Sequence, residues 1–248
     1  MTAILPDIVD EAGRLLDAAG RDGATLALLG GIAVRLNASV IPPPLDREYK
    51  DIDFAVPKGG GNAAAKLLSA CGYQPAVEFN ALQGRERLLF HDPAHDRQVD
   101  VFVGSFRMCH EIPFADRLEP GRPTVQLAEL VLTKLQIVEL NEKDVRDTAL
   151  LFYGHEVSDR DGDTINGKRI AELCSSDWGL WRTITANLER CRDHLGDYAL
   201  SEAETALISD RLTQLLAQIE AEPKSRGWKL RARVGERKRW YELPDEVA

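Results

Sequence analysis

Lys50-Asp-Ile-Asp-Phe-Ala-Val56 decides how this chain is read. Polar and apolar residues alternate through it, which is the period of a strand, so Asp51 and Asp53 fall on one face and Ile52 and Phe54 on the other. Alternate residues of a strand lie roughly 6–7 Å apart at Cα. Two carboxylates at that spacing bracket a hard cation such as Mg²⁺, which takes oxygen ligands and keeps substrate phosphate in its shell. A strand with one solvated acidic face shows the same pattern, so the pair needs company before it means chemistry.

That company lies on both sides. Thr25-Leu-Ala-Leu-Leu29 is an apolar run too short for a helix and reads as a buried strand, and Ile32 to Ala38 reads as a short helix. Gly30 and Gly31 join them. Glycine lets backbone approach a phosphate, and a helix start offers unpaired N–H groups to it. A tight strand-to-helix turn needs glycine in any case. Downstream, Gln98-Val-Asp-Val-Phe-Val103 sets Asp100 among residues that favour burial. A carboxylate there is costly unless it meets a cation or several donors. Arg35, Arg47 and Lys50 add positive charge near the glycine turn.

The order Gly-Gly, Asp-x-Asp and then a lone Asp on a later strand resembles the DNA polymerase beta-like nucleotidyltransferase superfamily. The matching blocks are Leu28-Leu-Gly-Gly-Ile-Ala-Val34, Lys50-Asp-Ile-Asp-Phe-Ala-Val56 and Val99-Asp-Val-Phe102. The resemblance implies an α+β nucleotidyltransferase fold, a small mixed sheet with flanking helices. It implies that Asp51 and Asp53 bind two Mg²⁺ or Mn²⁺ ions and that Asp100 binds the catalytic one. Gly30 and Gly31 would cradle a nucleoside triphosphate, with Lys50 beside them. The implied reaction is in-line attack of an acceptor hydroxyl on the α-phosphate, with pyrophosphate leaving.

A narrower resemblance, to the AbiEii/MenT-type nucleotidyltransferases, rests on Thr124-Val-Gln-Leu-Ala-Glu-Leu-Val-Leu-Thr-Lys134 and Asn141-Glu-Lys-Asp-Val-Arg-Asp147. It implies that Lys134 contacts triphosphate and that Asp144 orients it or the acceptor. Lys143 stands where that pattern usually has arginine. By the residues alone, the same stretch is an amphipathic helix with Lys134 and Glu129 or Glu139 on its wet face. The subtype would bring an RNA acceptor such as a tRNA end, a toxin-like role and an antitoxin partner. Aminoglycoside- or lincosamide-modifying enzymes share the carboxylates, so a small-molecule acceptor stays open. So does a non-catalytic nucleotide-binding protein of the same fold.

Elsewhere, helices are expected over residues 4–19, 63–70, 125–140, 144–153, 170–174, 178–195 and 201–221, with Asn62 as a cap and Ser201-Glu-Ala-Glu204 as a capping box. Residues 85–90 and 98–103 read as strands joined by the hairpin chemistry of His91-Asp-Pro-Ala-His-Asp-Arg97. Residues 1–122 are therefore expected to form the catalytic core and residues 123–248 a helical region with a basic tail. Between Lys224 and Arg239 stand eight Lys or Arg residues, flanked by Trp228, Trp240 and Tyr241. Basic residues with aromatics suit an RNA acceptor, although a charge run is more often a solvated face. Alternation from Gly227 to Leu243 suggests a small hairpin.

The chain has 248 residues and a net charge of −9, which excludes a generally basic nucleic-acid coat and fits carboxylates neutralised by divalent metal. No apolar run approaches a membrane span, and the N-terminus has no signal-peptide pattern. The four scattered cysteines form no C-x-x-C pair, so a reducing cytoplasm is expected. His91 and His95 flank Pro93 and lack a third ligand for zinc, and Cys109-His110 reads as a buried thiol beside a surface imidazole. Trp178, Trp181 and Leu188 read as core.

Overall fold

The computed structural model describes residues 3–243. They divide into two compact units. The first takes the chain up to Leu36 together with Glu48–Phe106 and Ile112–Gln126; the second takes Asn37–Arg47, Arg107–Glu111 and the described residues from Leu127 onward.

The first unit opens with α1 (Ile8–Asp22), whose first-turn N–H groups at Val9 and Asp10 donate to the Asp7 carboxylate and whose end is the left-handed Gly23. Then β1 (Ala27–Leu29) runs directly into α2 (Gly30–Asn37). After it come β2 (Asp51–Val56), α3 (Gly61–Ala70), β3 (Gln74–Pro75), α4 (Val77–Gln83), β4 (Arg87–Asp92) and β5 (Arg97–Val103). The five strands form one sheet in the order β1-β2-β5-β4-β3, in which β2 and β5 are parallel and the other pairs antiparallel. Two short strands, β6 (Ser105–Arg107) and β7 (Glu111–Pro113), pair with each other.

One face of the sheet is apolar: Ile52, Phe54, Val99, Val101, Leu88 and Phe90 are all buried. Each such side chain contributes roughly 1.5–3 kcal/mol on leaving water, which fixes the register, since a one-residue slip would expose the whole set. The β4–β5 hairpin is closed by a buried ion pair, Arg97 on Asp92 at 2.6 Å, while Asp92 also accepts from the N–H of Ala94. His95 Nδ1 lies 3.0 Å from the same carboxylate, so its ring serves the turn.

Sequence periodicity misses α4, because none of its residues is buried and its apolar side chains mark no face. Asn80 fastens it instead, bonding both the N–H and the carbonyl of Leu89. The cap of α3 is Gly60 rather than Asn62.

The second unit is helical: α5 (Leu127–Leu135), α6 (Glu142–Gly154), α7 (Gly167–Ser176), α8 (Trp178–His194), α9 (Glu202–Ala221) and α10 (Arg226–Val234), with a two-stranded β8 (Val157–Ser158) and β9 (Ile165–Asn166). The capping box at Ser201 and Glu204 forms with both bonds made. Three expectations change. Helix α5 has no wet face: Glu129 is buried and paired with Arg169 at 3.3 Å. Residues 226–234 form a helix, not a hairpin, because Ser225 caps Trp228 N–H and Arg231 lies over the Trp178 ring at 4.6 Å. The His110 ring is buried, with Nε2 2.8 Å from Thr183 Oγ1. Trp178 and Leu188 are buried; Trp181 is half-buried and donates to Glu220. Among the described residues no helix is long and apolar enough to cross a membrane.

Candidate active site

The parallel register of β2 and β5 sets Asp53 beside Asp100 and Asp51 beside Gln98. Directly paired residues point to the same side of a sheet, and so do residues two apart. Asp51, Asp53, Gln98 and Asp100 therefore share the face opposite the apolar one, with paired strands about 4.8 Å apart. Asp51 is exposed, Asp53 half-buried and Asp100 buried, so the carboxylates descend from solvent into the fold.

Leu29 pairs with Asp53 on the other side of β2, which brings the next residue, Gly30, against the Asp53 side chain. Gly30 has φ +69°, a conformation that suits glycine, and a Cβ there would lie 2.0 Å from Asp53 Oδ2. The glycine turn is thus required by the carboxylate as well as by the backbone. Gly31 follows in the first turn of α2, half-buried, and Lys50 is exposed just before β2.

At Asp100 both carboxylate oxygens are engaged. Oδ1 accepts from Arg87 Nε at 2.7 Å, and Oδ2 accepts from Gln98 Nε2 at 2.7 Å. Leu89 pairs with Asp100 and Arg87 with Phe102, so Arg87 stands on the carboxylate face. Its guanidinium lies 5.3 Å from the Phe102 ring and 5.6 Å from the Phe79 ring.

Lys134 and Asp144 belong to the second unit. There Lys134 Nζ lies 2.8 Å from Asp147 and 3.3 Å from Asp144. Arg47 clamps Asp147 with two bonds of 2.7 Å. Burial alone would raise the Asp147 carboxyl; Lys134 and then Arg47 outweigh it and hold the group below the ordinary carboxylate range. Burial alone would lower the Lys134 ammonium; Asp147 and Asp144 outweigh it and raise the group above the usual lysine value.

Oxygen-only donors on neighbouring strands match the ligand chemistry of a hard divalent cation. Among the described residues, however, no three His, Cys, Asp or Glu side chains converge as a ready-made metal cage. Asp53 and Asp100, paired in register, carry the donor chemistry that suits such an ion, and Asp100 would have to give up one of its two donors to bind it.

No family model matches the chain, and no curated protein matches it. Among solved structures, the crystal structure of the lincosamide antibiotic adenylyltransferase LnuA with lincomycin bound is 19% identical, with a TM-score of 0.44 over 57% of this chain and 94% of that one. The solution structure of the antibiotic-resistance factor ANT(2'')-Ia is 12% identical, with a TM-score of 0.41 over 58% of this chain and 81% of that one. What those proteins act on belongs to them; the functional reading here rests on the residues of the carboxylate face.

Arg87, Gln98 and Asp147 contact the candidate residues without being marked by any sequence motif. Gln98 was legible, since Gln-x-Asp on a strand puts both side chains on one face. Arg87 was not, because it reaches Asp100 only through the β4–β5 register. In the basic tail, Lys224, Arg231 and Arg237 donate to backbone carbonyls, Arg231 to Gly235 O at 2.7 Å and Lys238 O at 2.7 Å. Those cations stabilise the fold around α9 and α10.

Proposed function

We propose that the chain is a nucleotidyltransferase that moves a nucleoside monophosphate from a nucleoside triphosphate to an acceptor hydroxyl. One observation carries the reading. Asp53 and Asp100 are registered partners on parallel strands, and the glycine at the start of α2 is pressed against Asp53. Asp51, Asp53 and Asp100 would hold Mg²⁺ or Mn²⁺, which supplies charge neutralisation at the reacting phosphate when bound. In this reading Gly30 and Gly31 let the triphosphate approach main-chain N–H groups at the helix start. Lys50 adds a mobile positive charge at the rim. Asp100, the most buried carboxylate, accepts the proton of the attacking hydroxyl. Lys134 is held charged by Asp147 and Asp144 within the second unit.

The acceptor is either a hydroxylated small molecule or an RNA end. Lys224, Arg231 and Arg237 spend donors on backbone carbonyls, which leaves fewer for the phosphate grip an RNA would need, and this favours the small-molecule acceptor. A non-catalytic nucleotide-binding protein is favoured by a different observation, the engagement of both Asp100 oxygens. The test is incubation with each α-labelled nucleoside triphosphate and Mg²⁺ or Mn²⁺, offering total RNA in one arm and hydroxyl-rich antibiotics in another. Labelled acceptor with release of pyrophosphate supports transfer and names the acceptor class. Saturable triphosphate binding with no label on any acceptor supports the non-catalytic reading.

A further inference from the structure

We propose that Arg87 is a positioning residue: a built-in competitor for the cation at Asp100 that holds the third carboxylate until metal displaces it. The proposal rests on the metal-dependent reading above. Arg87 Nε lies 2.7 Å from Asp100 Oδ1, and the two side chains are 16% and 4% exposed. Gln98 takes the other oxygen. A divalent ion bound to Asp100 needs one of these oxygens at close range, and a guanidinium in place repels it with its own charge. The guanidinium is set in a slot between Phe79 and Phe102, so it is aimed at the carboxylate by packing as well as by charge. Asp51 is exposed and Asp53 half-buried, whereas Asp100 is buried with Arg87 on one of its oxygens.

The experiment is Mn²⁺ titration of the full chain without nucleotide, with free Mn²⁺ read by electron paramagnetic resonance. R87Q is expected to bind Mn²⁺ on the order of tenfold more tightly than wild type, the effect of losing one charge-assisted bond. The gain is expected to vanish in the double variant R87Q/D100N. Should R87Q fail to fold by circular dichroism, R87K is read instead; it keeps the charge but loses the fixed fork, and a gain of about threefold is expected. Equal affinities of wild type and the Arg87 variant, with D53N having lost Mn²⁺, overturn the role of Arg87 and leave the metal reading standing. No Mn²⁺ binding by any form, even with ATP, overturns the metal reading and this proposal with it.

Discussion

Gly30 and Asp53 stand so close that a Cβ added to Gly30 would lie 2.0 Å from Asp53 Oδ2 and 2.9 Å from its Cγ. The glycine therefore does two things at once. It turns β1 into α2 at a positive φ, and it leaves room for the carboxylate of the neighbouring strand. G30A is expected to cost roughly 1–3 kcal/mol in urea unfolding, through backbone strain and displacement of Asp53. Transfer activity should fall further than that loss of stability explains, at a temperature where the variant stays folded. A G30A variant with wild-type stability and activity would remove the constraint.

The Arg47–Asp147–Lys134 cluster predicts a particular dependence on pH. Asp147 has a folded pKa below its unfolded value of about 4, so its contribution is complete above that value and is lost as pH falls through the folded pKa. Lys134 has a folded pKa above its unfolded value of about 10.4, so its contribution is complete below that value and is lost as pH rises through the folded pKa. Stability from this cluster should be flat at neutral pH and fall at both extremes. D147N takes the shared carboxylate from two half-buried cations, Arg47 and Lys134, and is expected to cost about 3 kcal/mol at pH 7. The gap from wild type should start to shrink below pH 4, where Asp147 of the unfolded chain takes up a proton, and go on shrinking as pH falls towards the lowered folded pKa. Urea unfolding at pH 7 and pH 3 checks this; an equal gap at both values contradicts it.

The basic tail should separate into structural and surface cations. R231Q removes two carbonyl bonds and the stack on Trp178, and is expected to cost about 1–2 kcal/mol in thermal or urea unfolding. K238Q and R239Q, which change exposed residues, should stay within about 0.5 kcal/mol of wild type. If this segment grips RNA, the same pair should flatten the salt dependence of binding by roughly 0.7 per lost phosphate contact. An unchanged slope leaves the tail a solvated surface around α10.

How much of this could be read from the residues depends on whether a feature is local. The strands β2 and β5 were legible because Asp51-Ile-Asp53 alternates and because Val99, Val101 and Val103 surround Asp100. The Ser201–Glu204 capping box was legible because its two bonds span three residues. Arg87 was hidden because its meaning depends on strand register, and a slip of one residue would turn it to the other face. Helix α10 was misread because a nine-residue segment of alternating basic and apolar residues suits either period. Glu129 was set on a wet face because buried acids are rare, and its partner Arg169 is forty residues away in sequence. The short α4 left no pattern, since it buries no side chain of its own.

Nucleotide transfer is proposed for the face bearing Asp51, Asp53 and Asp100. Its most direct test compares wild type with D53N, a near-isosteric change, for pyrophosphate release with Mg²⁺, a nucleoside triphosphate and the acceptor labelled by wild type. D53N is expected to lose on the order of a hundredfold or more with an unchanged circular dichroism spectrum. D53N that folds normally and turns over at the wild-type rate would contradict it.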